Sequence, residues 1–185
     1  MLETPTASTS SPTAANRRVF KIEINAPIEA VWREITRTDA PILCFFNNRM
    51  SLGRGGLAPG SKLAMRTPDG KWTGVVGTIL VCEPPHRFGH TFRFTNMNDP
   101  ECKVFYELKP GRAGGTEFTL IIDDLPPGTK TAKQMVQGGT MIVNTLKSVM
   151  ETGRPGLGVR MLFVLFKVMG PLSPKICRSE NWPVD

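Results

Sequence analysis

The chain has 185 residues, 40% of them hydrophobic and 21% charged, which fits one domain with a full core plus extensions and leaves too little for two complete domains. Eighteen glycines and sixteen prolines predict many turns and favour strands over a helical bundle. The net charge of +7 is spread from Arg17 to Arg178 with no run longer than Arg17-Arg18, the mark of a solvated basic surface, so nucleic acid is not an expected partner.

The first 16 residues are rich in Ser, Thr, Pro and Ala and read as a flexible tail without the apolar core of a secretory signal. RRVFKIEIN then alternates, with Phe20, Ile22 and Ile24 on one face, as a half-buried strand does. In APIEAVWREITR the period changes: Pro27 opens a helix, and Ile28, Val31, Trp32 and Ile35 make its apolar face. DAPILCFFNN predicts a second short helix capped by Asp39.

Six strand-like runs follow between Asn48 and Asp124, separated by GRGGLAPG, PDG, PP, TNMNDP and PGRAGG. Asp69-Gly70 marks a tight hairpin. GRGGLAPG lacks the helix and lysine of a phosphate loop, so it predicts no nucleotide site. The segment from Thr129 to Gly153 returns to helical spacing through Val136, Gly139, Val143, Leu146 and Met150, with Gly153 as its C-cap.

VRMLFVLFKVMGPLSPK, from Val159 to Lys175, is the most apolar stretch. It is shorter than the roughly 20 residues a membrane span needs, and Gly170-Pro171 ends it. Arg160 and Lys167 lie seven apart on one stripe of this helix, and apolar side chains fill the rest. Some surface must therefore cover it: the cavity mouth of its own domain, a second subunit or, third in order, a membrane surface.

IEINAPIEAVWREIT, PGSKLAMRTPDGKWTGVVGTILVCEPPHRFGHTFRF, VFYELKPGRAGGTEFTLIID and the helix ending LKSVMETG together resemble the SRPBCC superfamily of START-like, helix-grip proteins. The resemblance is greatest to its subgroup similar to the activator of the ninety-kilodalton heat-shock protein ATPase, and it covers residues 17–153. It implies an α+β fold in which a seven-stranded curved antiparallel sheet grips a long C-terminal helix, with two short helices after strand 1. Residues 154–185 stand outside it as an extension carrying an additional apolar helix, a lid or dimer contact.

The resemblance further implies a cavity for a hydrophobic or aromatic, lipid- or polyketide-like small molecule. On strand parity, His90 shares a face with Phe88, Phe92 and Phe94, and Tyr106 shares one with Cys102, Val104 and Leu108. If those faces are concave, a buried neutral His90 accepts a proton and Tyr106 donates one, the equipment of a cofactor-independent cyclase, aromatase or dehydratase. Packing of an ordinary core is the competing reading for both. Phe45, Met65, Arg66 and Trp72 complete the expected cavity lining. Arg49 and Arg66 are candidates for a ligand carboxylate, in a stretch where Arg49, Arg54, Lys62, Arg66 and Lys71 face the single acid Asp69.

Cys44, Cys82, Cys102 and Cys177 lack the paired spacing of a zinc site. They read as free thiols in a cytoplasmic protein, and neither metal nor cofactor is expected. Three functions follow: binding of a hydrophobic small molecule, acid–base catalysis through His90 and Tyr106, and a surface module for a chaperone.

Overall fold

The computed structural model describes residues 16–185, so the expected tail falls, but for Asn16, outside the described residues. In chain order the elements are β1 (Arg18–Ile24), α1 (Ile28–Thr36), a 3-10 turn (Leu43–Phe45), β2 (Arg49–Leu52), β3 (Lys62–Arg66), β4 (Thr73–Glu83), β5 (Arg87–Phe94), β6 (Cys102–Pro110), β7 (Thr116–Asp123), α2 (Lys130–Thr152) and α3 (Leu157–Met169). The strands form one antiparallel sheet in the order β1-β7-β6-β5-β4-β3-β2. Strands β2 to β7 pair in succession, and β1 joins the far edge beside β7.

The sheet curves where its register slips, between Met65 and Arg66 in β3 and between Ile79 and Val81 in β4, because an extra residue on one strand bends it and raises its twist. The Asp69-Gly70 hairpin is present: Gly70 has φ +72° and its N–H donates to the Thr67 carbonyl. Positive φ there costs glycine nothing.

The second short helix is a single 3-10 turn. Its N-cap is Ile42, not Asp39, because the Asp39 carboxylate is spent on Arg37, with Nε at 3.1 Å. Phe46 and Asn47 then take positive φ, and the helix goes no further.

α2 lies in the concavity. The Thr129 hydroxyl caps its start by accepting from the Ala132 N–H, and Gly153, at φ 74°, ends it with an N–H donated to Val149. Its buried face runs through Met135, Gly139, Val143 and Leu146. Val136, in the expected row, is 38% exposed instead; Met135, one position earlier, points inward. At Gly139 a Cβ would overlap the Phe20 ring, so the missing side chain lets α2 approach β1.

The chain beyond Gly153 divides into two parts of opposite character. Residues 175–185 strap onto the sheet: Trp72 bridges Arg178, the Ser179 N–H donates to Lys71, and Thr95 Oγ1 donates to the buried Cys177 Sγ at 3.4 Å. Trp182 stacks under the Arg93 guanidinium at 5.3 Å. Arg93 has the opposite parity to Phe92 and Phe94, so this strap crosses the outer face of the sheet. Ala64, in the same cross-strand row through Val76, is 0% exposed although it is no part of the inner core. α3, by contrast, touches the body through Phe166 against Phe46, 6.5 Å between ring centres. Leu157, Met161, Val164, Leu165 and Val168 stay exposed.

Candidate functional site

β5 and β6 bring the two expected titratable residues together. Phe88 stands opposite Tyr106 and His90 opposite Val104, so His90 and Tyr106 are diagonal neighbours on the concave face. The Tyr106 hydroxyl is 3.4 Å from His90 Nε2, and His90 Nδ1 is 2.7 Å from the Thr91 carbonyl. A carbonyl only accepts, so Nδ1 carries the proton and Nε2 offers its lone pair to the Tyr106 O–H. Burial pushes the His90 pKa down to about 4, against a small upward pull from the Thr91 carbonyl. Burial also drives the Tyr106 phenol upward. Both groups are neutral at pH 7.

Aromatic rings enclose this pair. Phe88 stacks on Tyr106 at 5.8 Å, Phe45 and Phe118 flank the same phenol, and Phe92 follows His90 and meets Phe94 edge-on at 4.8 Å. Trp32 of α1 closes against Phe88. The centre of the arrangement is buried: Phe88 and Phe118 are 0% exposed, His90 1% and Tyr106 3%. Bulk solvent therefore reaches almost none of these four side chains. The pair has the polarity for proton transfer but is closed in this conformation.

Open concavities lie at the other end of the sheet. One, of about 490 Å³, is lined by Thr38, Arg49, Met50, Ser51, Leu52, Arg66, Thr67, Gly70 and Val184. Arg49 and Arg66 are direct cross-strand partners across β2 and β3, a placement in which like charges destabilise each other. Neither has a carboxylate partner among the described residues. Arg49 donates to the Asp39 main-chain carbonyl, and Arg66 Nη2 donates to the Trp182 carbonyl at 3.0 Å. Arg66 Nε is buried without any hydrogen-bond partner, a costly state for a charged donor. The adjoining recess, about 690 Å³ beside α1, is internally neutralised: its Arg37 bonds both Glu34 and Asp39. The first groove therefore holds an uncompensated pair of cations beside Leu52 and Val184.

The residues expected to line one cavity separate into two sets. Phe45, Phe88, Phe92, Phe94, His90 and Tyr106 make the aromatic cluster, and Met65 lies in the same core. Arg66 is on the open groove instead. Trp72 stands at the β3–β4 hairpin, where its N–H donates to Thr67 Oγ1 and its main chain bridges Arg178. Phe118 and the Trp182 carbonyl were not among the expected residues; Trp182, an isolated large aromatic in a polar tail, was the available sign of a docked strap. The cysteines are free. Burial pushes Cys102 up to about 12 and Cys44 upward too, which keeps both as unreactive thiols.

Several solved structures share the fold. CalU16 from Micromonospora echinospora matches with a TM-score of 0.54 and 18% identity over 83% of this chain and 79% of that one. The Aha1 dimer from Colwellia psychrerythraea matches at 0.58 and 16% over 74% of this chain and 97% of that one. PFC0360w, an HSP90 activator from Plasmodium falciparum, matches at 0.56 and 17% over 75% and 97%. No curated protein matches the sequence. The family model described as Activator of Hsp90 ATPase homolog 1-like protein covers residues 25–151, from the end of β1 to the last turn of α2, and the chain belongs to that family.

Proposed function

We propose that the protein binds an amphipathic small molecule, an organic anion with a hydrophobic or aromatic body, in the groove between β2, β3 and the C-terminal strap. One observation carries this reading: Arg49 and Arg66 face each other across the strands with no carboxylate between them, and Arg66 Nε is buried unpartnered. A carboxylate seated there relieves the repulsion and supplies the missing acceptor. The apolar body lies along Leu52 and Val184, in a volume typical of small-molecule sites.

Isothermal titration with decanoate and 2-naphthoate tests it. Both acids should bind the full chain, and Arg66→Gln should weaken each about tenfold or more, the loss of one charge-assisted bond. Decanol should bind no better than that variant binds decanoate. Equal binding of acid and alcohol, or indifference to Arg66→Gln and Arg49→Gln, overturns the reading. Native mass spectrometry of protein from its own cells would identify the retained ligand.

A second reading, a chaperone-linked module acting through its surface, is favoured by the burial of His90 and Tyr106 away from solvent and by the family. It expects stimulation of a purified ninety-kilodalton chaperone ATPase that Arg66→Gln leaves intact; no stimulation by the unmodified chain counts against it. Acid–base catalysis by His90 and Tyr106 requires the aromatic cluster to open, and its test is turnover of a polyketide-like substrate by the unmodified chain, abolished in Tyr106→Phe.

A further inference from the structure

α3 is an apolar helix tethered to the body at both ends. α2 fixes its start through the Gly153 cap, and the strap fixes its end through Cys177, Ser179 and Trp182. Val159, Leu162 and Phe163 are partly covered, so the inward side faces the body. On the opposite side Leu157 and Met161 are each 75% exposed and Val168 68%. Successive residues turn about 100°, which places Arg160 and Lys167 together on one flank of that outward row.

The charge of the segment is one-sided. Between Glu151 and Glu180 there are five basic residues, Arg154, Arg160, Lys167, Lys175 and Arg178, and no acidic one. Arg178 pairs with Glu180 at 3.5 Å; the other four have no carboxylate partner among the described residues.

We propose that α3 docks on an anionic lipid bilayer surface. The outward row of Leu157, Met161, Leu165 and Val168 enters the headgroup–acyl boundary, and Arg160 and Lys167 lie at headgroup level against lipid phosphates. The helix is about 20 Å long, and no helix among the described residues is long and apolar enough to cross a membrane, so it rests in the surface plane. A second copy of the chain is a poorer occupant. An antiparallel pairing centred on Phe163 and Val164 sets Arg160 opposite the other copy's Lys167, a parallel one sets like beside like, and the segment has no acid to offset either.

Vesicle co-sedimentation of the full chain tests this. Vesicles of equal parts phosphatidylglycerol and phosphatidylcholine should bind at least about tenfold more tightly than phosphatidylcholine alone, since each cation near an anionic surface contributes appreciably. Met161→Ser, Leu165→Ser and Val168→Ser together should abolish binding, with an unchanged circular dichroism spectrum because all three positions are exposed. Arg160→Gln with Lys167→Gln should remove the lipid-charge preference. Equal binding to both vesicle types, binding that survives the triple serine variant, or a dimer in sedimentation velocity that the triple variant dissolves without any vesicle binding would each overturn the proposal. The Arg49 and Arg66 groove lies on another part of the molecule, so failure of decanoate to bind there leaves this outcome unaffected.

Discussion

α2 and α3 follow one another with only Gly153, Arg154, Pro155 and Gly156 between them, yet the more apolar of the two is the one left uncovered. α2 carries Met135, Gly139, Val143 and Leu146 on one face and keeps Lys133, Gln134, Gln137 and Asn144 on the other. α3 is apolar nearly all round. Total apolar content did not decide which helix was buried. The concave sheet has space for one helix, and the one-sided helix with a glycine at the Phe20 contact fills it. A surplus apolar helix is then left for an external surface.

The largest effects should separate these two helices. Leu146 is 0% exposed and Leu165 52%. Leu146→Ala should cost about 2–5 kcal/mol of unfolding free energy, the range for deleting buried leucine atoms, whereas Leu165→Ala should stay within about 0.5 kcal/mol. Urea denaturation of the two variants measures the contrast. A comparable loss at Leu165 would mean that α3 is part of the core.

The aromatic cluster gives a second contrast, in pH. His90 titrates at 6.5 when unfolded and at about 4 when folded, so between those values the unfolded chain binds the extra proton. Stability from this group is complete above pH 6.5 and is lost as pH falls through about 4. The loss is on the order of 3 kcal/mol from the shift alone. Denaturation midpoints measured from pH 7 to pH 4 should fall steeply in the unmodified chain and less steeply in His90→Gln. A parallel fall in both would place the acid sensitivity elsewhere.

Much of this architecture could be read from residue order, because its signals are local. A period-two run located β1, turn chemistry bounded the other six strands, Asp69-Gly70 located a hairpin, and Gly153 located the end of α2. Parity alone set His90 and Phe88 on a shared face, and pairing of β5 with β6 brought Tyr106 beside them. Whether that face encloses a cavity was not readable, since the answer depends on how Trp32, Phe45, Phe118 and α2 fill one volume. The opposition of Arg49 and Arg66 was hidden for a related reason. It depends on the register across the Gly53–Ser61 connection, and one residue of slip would have sent them to different partners. The strap lacked any periodicity; Cys177 and Trp182 are single anchors in a polar tail.

The Thr129 cap tests how independently α2 is specified. Its hydroxyl oxygen accepts the Ala132 N–H at 3.1 Å, and Thr129→Ala should cost about 1 kcal/mol. Thermal denaturation would show a correspondingly lower midpoint, while no change would mean that packing on the sheet alone holds the first turn.

The smallest effect should fall on the strap, and it should be local. Trp182 is held by the Arg93 guanidinium and by its own Nε1–H, which donates to the Ile176 carbonyl at 2.7 Å. Trp182→Ala removes both contacts, together worth about 1 kcal/mol after solvent takes their place. The Ser179 N–H, bonded to the Lys71 carbonyl at 3.0 Å, should then exchange with deuterium about fivefold faster, while amides of α2 keep their protection. Because the strap is also the distal tether of α3, loosening it should free that helix without disturbing α2. If α2 amides accelerate to the same extent, the strap unfolds only with the whole domain, and α3 is displayed by a rigid mount instead of a releasable one.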